Sequence, residues 1–410
     1  MEFKYCELPN GLSIVGEINR AAKSAAIGFF VKTGARDENM TINGVSHFLE
    51  HMLFKGTDKL SAQEVNEAFD RTGAQFNAFT SEESTVYYAA VLPEYLMEVA
   101  GLWMQLMRPA LRDDDFDIEK NVIKEEIAMY QDMPSFDVID RCRTLHFDGH
   151  ACGYSVLGSV ESIDVLSAGQ MRDYFAERYA PNNLVLVCTG NFDWDDLCGL
   201  ASEKCQSWRY QETGRRLEDP AGSSKHERIT KPNLALEHIC LMSRGVSAQD
   251  PRRFAASVLG TIVGDDVGSR FFWELIDKAL AEAASLQFAA MDGTGIFCSY
   301  IRCTTGKLKQ VMSVVESILG GLATDKISEE ELNKAKNKII SALVLKNELP
   351  MGRLLDAGMN WTYLREYRKV EDDIAAIRAV TIGDIHALVE QFDLSDFTRF
   401  SIGPELSSPE

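Results

Sequence analysis

Two stretches of this chain repeat one another about 215 positions apart, and that repeat limits the possible folds more than any other feature. DFDIEKNVIKEEIAMYQ in the first half parallels SEEELNKAKNKIISALVL in the second; each reads as a long amphipathic helix with an acidic first turn. LSAGQMRDYFAERYAPNNLVLVCTGN parallels VTIGDIHALVEQFDLSDFTRFSIGP, a helix followed by a strand that ends in Gly. A unit of roughly 200 residues used twice accounts for the 410 residues better than three unrelated domains do. Strand-like runs at 12–17, 26–33, 86–92 and 184–189 alternate with helix-like runs at 44–54, 62–72, 94–107, 116–131 and 168–178. Asn10-Gly11, set between apolar alternations, marks a β-hairpin. The expected fold is α+β: two homologous α/β-roll halves, each a mostly antiparallel sheet with helices packed on one face. Residues 206–232 are polar and hold Gly, Ser and Pro, so they read as a linker between halves at 1–205 and 233–410.

Charge narrows the partners. Lys+Arg number 42 against 62 Asp+Glu, a formal net charge of −20. Nucleic acid and anionic membrane faces both need a basic footprint, so neither is expected as a partner. The apolar runs are strand-sized, and the N-terminus shows no basic segment followed by a long apolar one. Nine cysteines lie scattered with no close CxxC pair, which suits reduced thiols and a cytoplasmic protein rather than a disulfide scaffold.

The segment GVSHFLEHMLFKGT carries the chemistry. On a helix His47 and His51 stand one above the other at i and i+4, a spacing that lets two imidazoles grip one ion. Glu50 projects beside the same point, while Phe48, Leu49, Met52 and Leu53 allow the helix to be buried. Nitrogen ligands, a carboxylate and a position left for water suit zinc. A third protein ligand is needed, and the helix at 116–131 offers Glu119 and Glu126, two turns apart on a stripe with Val122, Ile123 and Met129. Glu125 falls on a more polar face. A carboxylate on an apolar stripe is costly unless it is paired or on a metal, so one of Glu119 and Glu126 is the ligand and the other orients a histidine. Periodicity leaves open which is which.

HFLEHMLFKGT, followed by Glu126 within EKNVIKEE, resembles the inverzincin metallopeptidases of the pitrilysin/insulinase group, in the short bacterial branch related to the mitochondrial processing peptidase. GAQFNAFTSEESTVYYAAVL, HFDGHACGYSVLGSVESI and NNLVLVCTGN also sit where that family has counterparts, so the resemblance covers nearly the whole chain. It implies that His47, His51 and Glu126 bind one Zn2+ per chain, that Glu50 is the general base, and that Glu119 is the supporting carboxylate. It implies further that Asn77, Ala78, Phe79 and Thr80 form an edge strand on which a peptide substrate pairs as an added strand. The expected activity is zinc-dependent endopeptidase, hydrolysing peptides or extended protein segments. A homodimer, or a heterodimer with a homologous subunit, is the expected assembly.

The second half departs from the family pattern. Many members carry an Arg and a Tyr seven positions apart, thought to hold substrate and steady the oxyanion; here those positions fall on Ile276 and Ala283. The second half has no HxxEH, and its counterpart of Glu126 falls near Ala342, so it reads as a degenerate copy without metal. Two alternatives follow: a zinc-bearing subunit that needs a homologous partner for the Arg/Tyr pair, or a non-catalytic peptide-binding or assembly subunit. His146 and His150, and likewise His226, His238 and His386, are expected to be structural. In a peptidase the −20 charge would favour basic peptides if the acids face the substrate.

Overall fold

The computed structural model describes residues 1–324 and 327–405. The strands are β1 (Glu2–Glu7), β2 (Ser13–Ile18), β3 (Ala25–Val31), β4 (Gln75–Thr80), β5 (Thr85–Val91), β6 (Leu184–Gly190), β7 (His226–Thr230), β8 (Glu237–Gly245), β9 (Ala283–Ala290), β10 (Gly295–Cys303) and β11 (Thr398–Gly403). The helices are α1 (Val45–Leu53), α2 (Ala62–Thr72), α3 (Leu96–Leu106), α4 (Asp113–Gln131), α5 (Pro134–Phe147), α6 (Val160–Val165), α7 (Ala168–Arg178), α8 (Trp194–Cys205), α9 (Arg253–Gly264), α10 (Leu308–Gly321), α11 (Glu329–Asn347), α12 (Pro350–Leu364), α13 (Val370–Ala379) and α14 (Ile382–Gln391).

The repeat is visible in the sheet topology. The first sheet runs β1-β2-β6-β3-β5-β4 and the second β7-β11-β8-β10-β9. If β1 is set aside, the two orders match strand for strand. The pairs β2/β6 and β7/β11 are parallel, and the other ladders are antiparallel. The Asn10-Gly11 turn joins β1 to β2, with Glu7 opposite Ser13 and Gly11 in the left-handed region at φ 87°.

Two compact units are present, and each is interleaved along the chain. Unit 1 holds Met1–Ile127, Tyr154–Arg216 and Val344–Arg368; unit 2 holds Ala128–Gly153, Leu217–Leu343 and Lys369–Glu410. The contiguous division read from the sequence therefore misses an exchange of helices. α5, from the first half, packs on β8 and β11 through Val138 and Cys142. α12, from the second half, packs on β3 and β6 through Leu354, Ala357 and Trp361.

The reason lies in the strands. β2, β3 and β6 are buried at every position, so both faces of the first sheet need cover. The first repeat's own α3 meets β3 and β5, and α12 supplies cover from the other half of the chain. Gly358 permits the close approach, because a Cβ there would lie 2.1 Å from the Phe30 ring. α12 is also tied by a buried ion pair, in which Arg353 Nε donates to Glu17 Oε1 of β2 at 2.9 Å and the Tyr367 hydroxyl donates to Glu17 Oε2 at 2.6 Å.

The segment read as a linker is irregular over 209–225 and then becomes β7. Within unit 1 it is anchored rather than free. Trp208 is buried under Arg108, whose guanidinium carbon lies 3.7 Å from the ring centroid, and Arg215 pairs with the buried carboxylate of Asp37 at 2.5 Å.

Arg353→Leu should destabilise the protein by about 3–5 kcal/mol, because it leaves Glu17 charged and buried without its partner. A urea melt should show this, and Glu17→Gln introduced into the same variant should recover part of the loss.

Candidate metal centre

α1 forms because Val45, Phe48, Leu49, Met52 and Leu53 recur at helical spacing, and all five are buried. That docking turns the remaining edge of the helix, with His47, Glu50 and His51, toward α4. Three aspartates, Asp113, Asp114 and Asp115, occupy the first turn of α4 and complement its dipole. Phe116, Glu119, Ile123 and Ile127 are its buried residues. The stripe therefore runs on one flank of the Glu119–Glu126 line. Val122 and Met129, read from sequence as part of it, are exposed because they fall on the opposite flank; Glu125 is exposed as well.

His47, His51 and Glu126 each bring one ligand atom to a common point, and the three atoms lie within 4.8 Å of one another. Glu126 Oε2 is 3.7 Å from His47 Nε2 and 3.5 Å from His51 Nε2. Those gaps are too long for hydrogen bonds. They are close to the ~3.3 Å expected between two ligands each about 2.0–2.1 Å from a tetrahedral zinc. Among the described residues this is the only group of three or more His, Cys, Asp or Glu so arranged.

The supporting groups fit the same ion. His51 Nδ1 lies 2.8 Å from Glu119 Oε1, so Nδ1 carries the proton and Nε2 is left bare to bind metal. Lys55 Nζ lies 2.5 Å from Glu119 Oε2. Burial would raise the Glu119 carboxyl, but the hydrogen bonds from His51 and Lys55 and their charges hold it below the usual range. Burial pushes His47 down to about 3, helped by neighbouring His51, so it is a neutral ligand; its Nδ1 is buried with no hydrogen-bond partner. For His51 burial acts downward too, but the Glu119 hydrogen bond and the charges of Glu126, Glu119 and Glu50 raise it overall.

Glu50 stands beside this group on α1. Its Oε2 accepts a hydrogen bond from Thr80 Oγ1 at 2.6 Å. Burial raises its carboxyl, and the Thr80 hydroxyl and the His51 charge oppose that shift. Thr80 ends β4, which is the outer strand of its sheet, with Asn77 opposite Tyr88, Ala78 opposite Tyr87, Phe79 opposite Val86 and Thr80 opposite Thr85. Among the described residues no other strand pairs with the outer side of β4, and Asn77 Oδ1 takes the Ala78 N–H at 2.8 Å. The sequence-read edge residues thus lie against the helix that carries the histidines. The Thr80 hydroxyl on Glu50 was not foreseen, nor was Lys55 on Glu119. Lys55 falls just past the helix end, where periodicity gives no side-chain direction.

In unit 2 the helix in the place of α1 is α9, beside the edge strand β9. Its sequence, RFAASVLGTIVG, has no His, Asp or Glu. Ile276 closes a π-helical turn over Phe272–Ile276 and packs on the unit's core, and Ala283 begins β9. Among the described residues none of the other histidines joins a group of potential metal ligands. His146 Nδ1 is 3.0 Å from Thr398 Oγ1, His150 Nε2 is 2.8 Å from Glu218 Oε2, His238 Nδ1 is 2.9 Å from the Tyr300 hydroxyl, and His226 stacks on Phe397.

Residues 14–159 match the family described as insulinase (peptidase family M16), and residues 166–339 match the peptidase M16 inactive domain. An uncharacterized zinc protease of Bacillus subtilis, YmxG, is 32% identical over 405 residues, covering 98% of both chains. Another from Mycobacterium leprae is 31% identical over 408 residues, covering 98% of this chain and 91% of that one. Among solved structures, a peptidase M16 inactive domain from Pseudomonas fluorescens superposes with a TM-score of 0.92 at 16% identity, covering 100% of this chain and 99% of that one. A chain of complex III2 from Candida albicans gives 0.84 at 19% identity, covering 98% of this chain and 95% of that one.

Glu119→Ala should leave the chain folded and weaken zinc binding by about 10–100-fold, as loss of a group that orients a ligand does. Competition with a coloured chelator measures this directly, and an unchanged affinity would remove Glu119 from the support of the site.

Proposed function

The chain belongs to the insulinase family, peptidase family M16, and from that premise we propose that it is a zinc-dependent endopeptidase acting on peptides or extended protein segments. The observation that carries the reading is the convergence of His47, His51 and Glu126 within 4.8 Å, with Glu50 beside them. Those three residues would hold a zinc ion, which when bound would supply Lewis acidity to activate a water, lowering its pKa toward about 7, and to polarise the scissile carbonyl. Glu50 accepts the proton of the attacking water and passes it to the leaving amine. Burial raises the Glu50 carboxyl, which strengthens it as a base, and the Thr80 hydroxyl opposes that rise. Glu119 orients His51 and, with Lys55, keeps its own negative charge. A substrate strand pairing along Asn77, Ala78, Phe79 and Thr80 would displace the Asn77 side chain from the Ala78 N–H and gain backbone hydrogen bonds largely blind to sequence.

The same reading gives one zinc per chain, since α9 has no ligands where α1 has three residues of the motif. The described cysteines are all free thiols, which supports cytoplasmic residence, and no described helix is long and apolar enough to cross a membrane. A second reading is favoured by Ile276 and Ala283, neither of which can donate a side-chain hydrogen bond to an oxyanion. Loss of one such donor costs about 10²–10³ in rate. On that reading the chain is the zinc-bearing subunit of a heteromeric peptidase, and a homologous partner of different sequence supplies the Arg/Tyr pair. Strong cleavage of a mixed peptide library by the purified chain alone, abolished by chelator, would decide for the self-sufficient enzyme.

Glu50→Gln should abolish cleavage while metal analysis still finds zinc; full activity in that variant would rule out Glu50 as the base. Cleavage should fall on the acid side as Glu50 protonates. Thr80→Val removes a hydrogen bond that lowers the Glu50 pKa, so the acid limb of its kcat/KM profile should move to higher pH than in the wild type.

A further inference from the structure

The start of α1 is held in an uncommon way. Its capping position is Gly44, in the left-handed region at φ 95° and without a side chain to offer. A Cβ there would lie 2.7 Å from the Leu157 carbonyl oxygen, so the capping residues Ser, Thr, Asp and Asn are all excluded. The first N–H groups of a buried helix still need acceptors. Glu38 supplies them from outside the helix. Its Oε2 accepts from the Gly44 N–H at 2.7 Å and from Asn43 Nδ2 at 2.8 Å, and its Oε1 accepts from the Ser46 N–H at 2.7 Å. Burial pushes the Glu38 carboxyl up to about 7 against the hydrogen bonds from Ser46, Gly44 and Asn43, and in its ionised form it also complements the positive end of the helix dipole.

Position makes this consequential. His47 directly follows Ser46, so the first metal ligand lies in the turn whose N–H groups Glu38 holds. The two residues before Glu38 are themselves fixed. Asp37 is paired with Arg178 at 2.8 Å and Arg215 at 2.5 Å, and Arg36 is paired with Glu83 at 2.5 Å. The Ser46 hydroxyl lies 2.8 Å from the Tyr174 hydroxyl, which lies 2.7 Å from Thr33 Oγ1.

We propose that Glu38 is a positioning residue for the metal ligands: by taking the N–H groups of Gly44 and Ser46 it sets the height and rotation of α1, and with them the separation of His47 Nε2 from Glu126. The inference rests on the zinc reading above. It concerns a residue that touches neither the ion nor the substrate.

The test uses the full chain as wild type, Glu38→Gln, Glu38→Ala and Leu354→Ala, the last a core truncation under α12 that serves as a purely structural control. The readouts are the zinc dissociation constant from chelator competition, the visible spectrum of the cobalt-substituted protein, and kcat against KM, all well below the melting temperature. Glu38→Ala should weaken zinc by about 10–100-fold and alter the cobalt spectrum, with kcat falling and KM little changed. Glu38→Gln should give the same changes in smaller degree, because its amide turns an NH2 toward one of the N–H donors. Leu354→Ala should lower the melting temperature and leave zinc affinity and spectrum alone. If Glu38→Ala fails to fold, Glu38→Gln decides. Wild-type zinc affinity and cobalt spectrum in the folded Glu38 variants, or the same changes in Leu354→Ala, would overturn the positioning role and leave the zinc reading intact. A wild-type chain that takes up neither metal overturns both.

Discussion

Sheets that are apolar on both faces must be covered on both faces, and this requirement shapes the chain more than any local preference. β2, β3 and β6 are buried throughout. Leaving one side of such a sheet in water would forfeit about 1.5–3 kcal/mol for each large side chain exposed. Each repeat covers part of its own sheet, and α5 and α12 are traded to add to the cover. The Arg353–Glu17 pair and the close seat of Gly358 on Phe30 fix where α12 sits on the first sheet.

That scaffold explains why one repeat carries chemistry and the other does not. α1 and α9 occupy matching places, each after the strand that opens the central antiparallel pair and beside the outer strand of its sheet. α1 buries its apolar residues and leaves His47, Glu50 and His51 grouped toward α4. α9 has no His, Asp or Glu to offer, and at Gly264 it approaches β9 so closely that a Cβ would reach 2.1 Å from Leu286 N. The match of residues 166–339 to the M16 inactive domain agrees with that difference.

Much of this was legible in the sequence. The duplicated helix–strand segments, the hairpin at Asn10-Gly11 and the ligand spacing of His47 and His51 are local patterns, and local patterns survive folding. The choice between Glu119 and Glu126 was not legible from periodicity, because both lie near one line of α4 and only the partner helix distinguishes them. Their surroundings differ: Glu119 meets His51 Nδ1 and Lys55, while Glu126 meets both Nε2 atoms. Val122 and Met129 were assigned to the wrong flank for the same reason. The exchange of α5 and α12 was invisible because an amphipathic helix shows that it has an apolar face but not what that face will meet. Glu38 escaped because an acceptor six positions before the capping residue Gly44 leaves no motif at the helix itself.

The traded helix α12 also sets a timetable. A chain made from its N-terminus has released every strand of the first sheet once Gly190 has emerged, yet that sheet lacks α12 until residues 350–364 follow. Domains usually fold as units while synthesis proceeds, the N-terminal one first. Here the first unit must wait for most of the second to be made, with Phe30, Val86 and Val187 uncovered in the meantime. The first sheet thus gains its full cover only once residues 350–364 have been made.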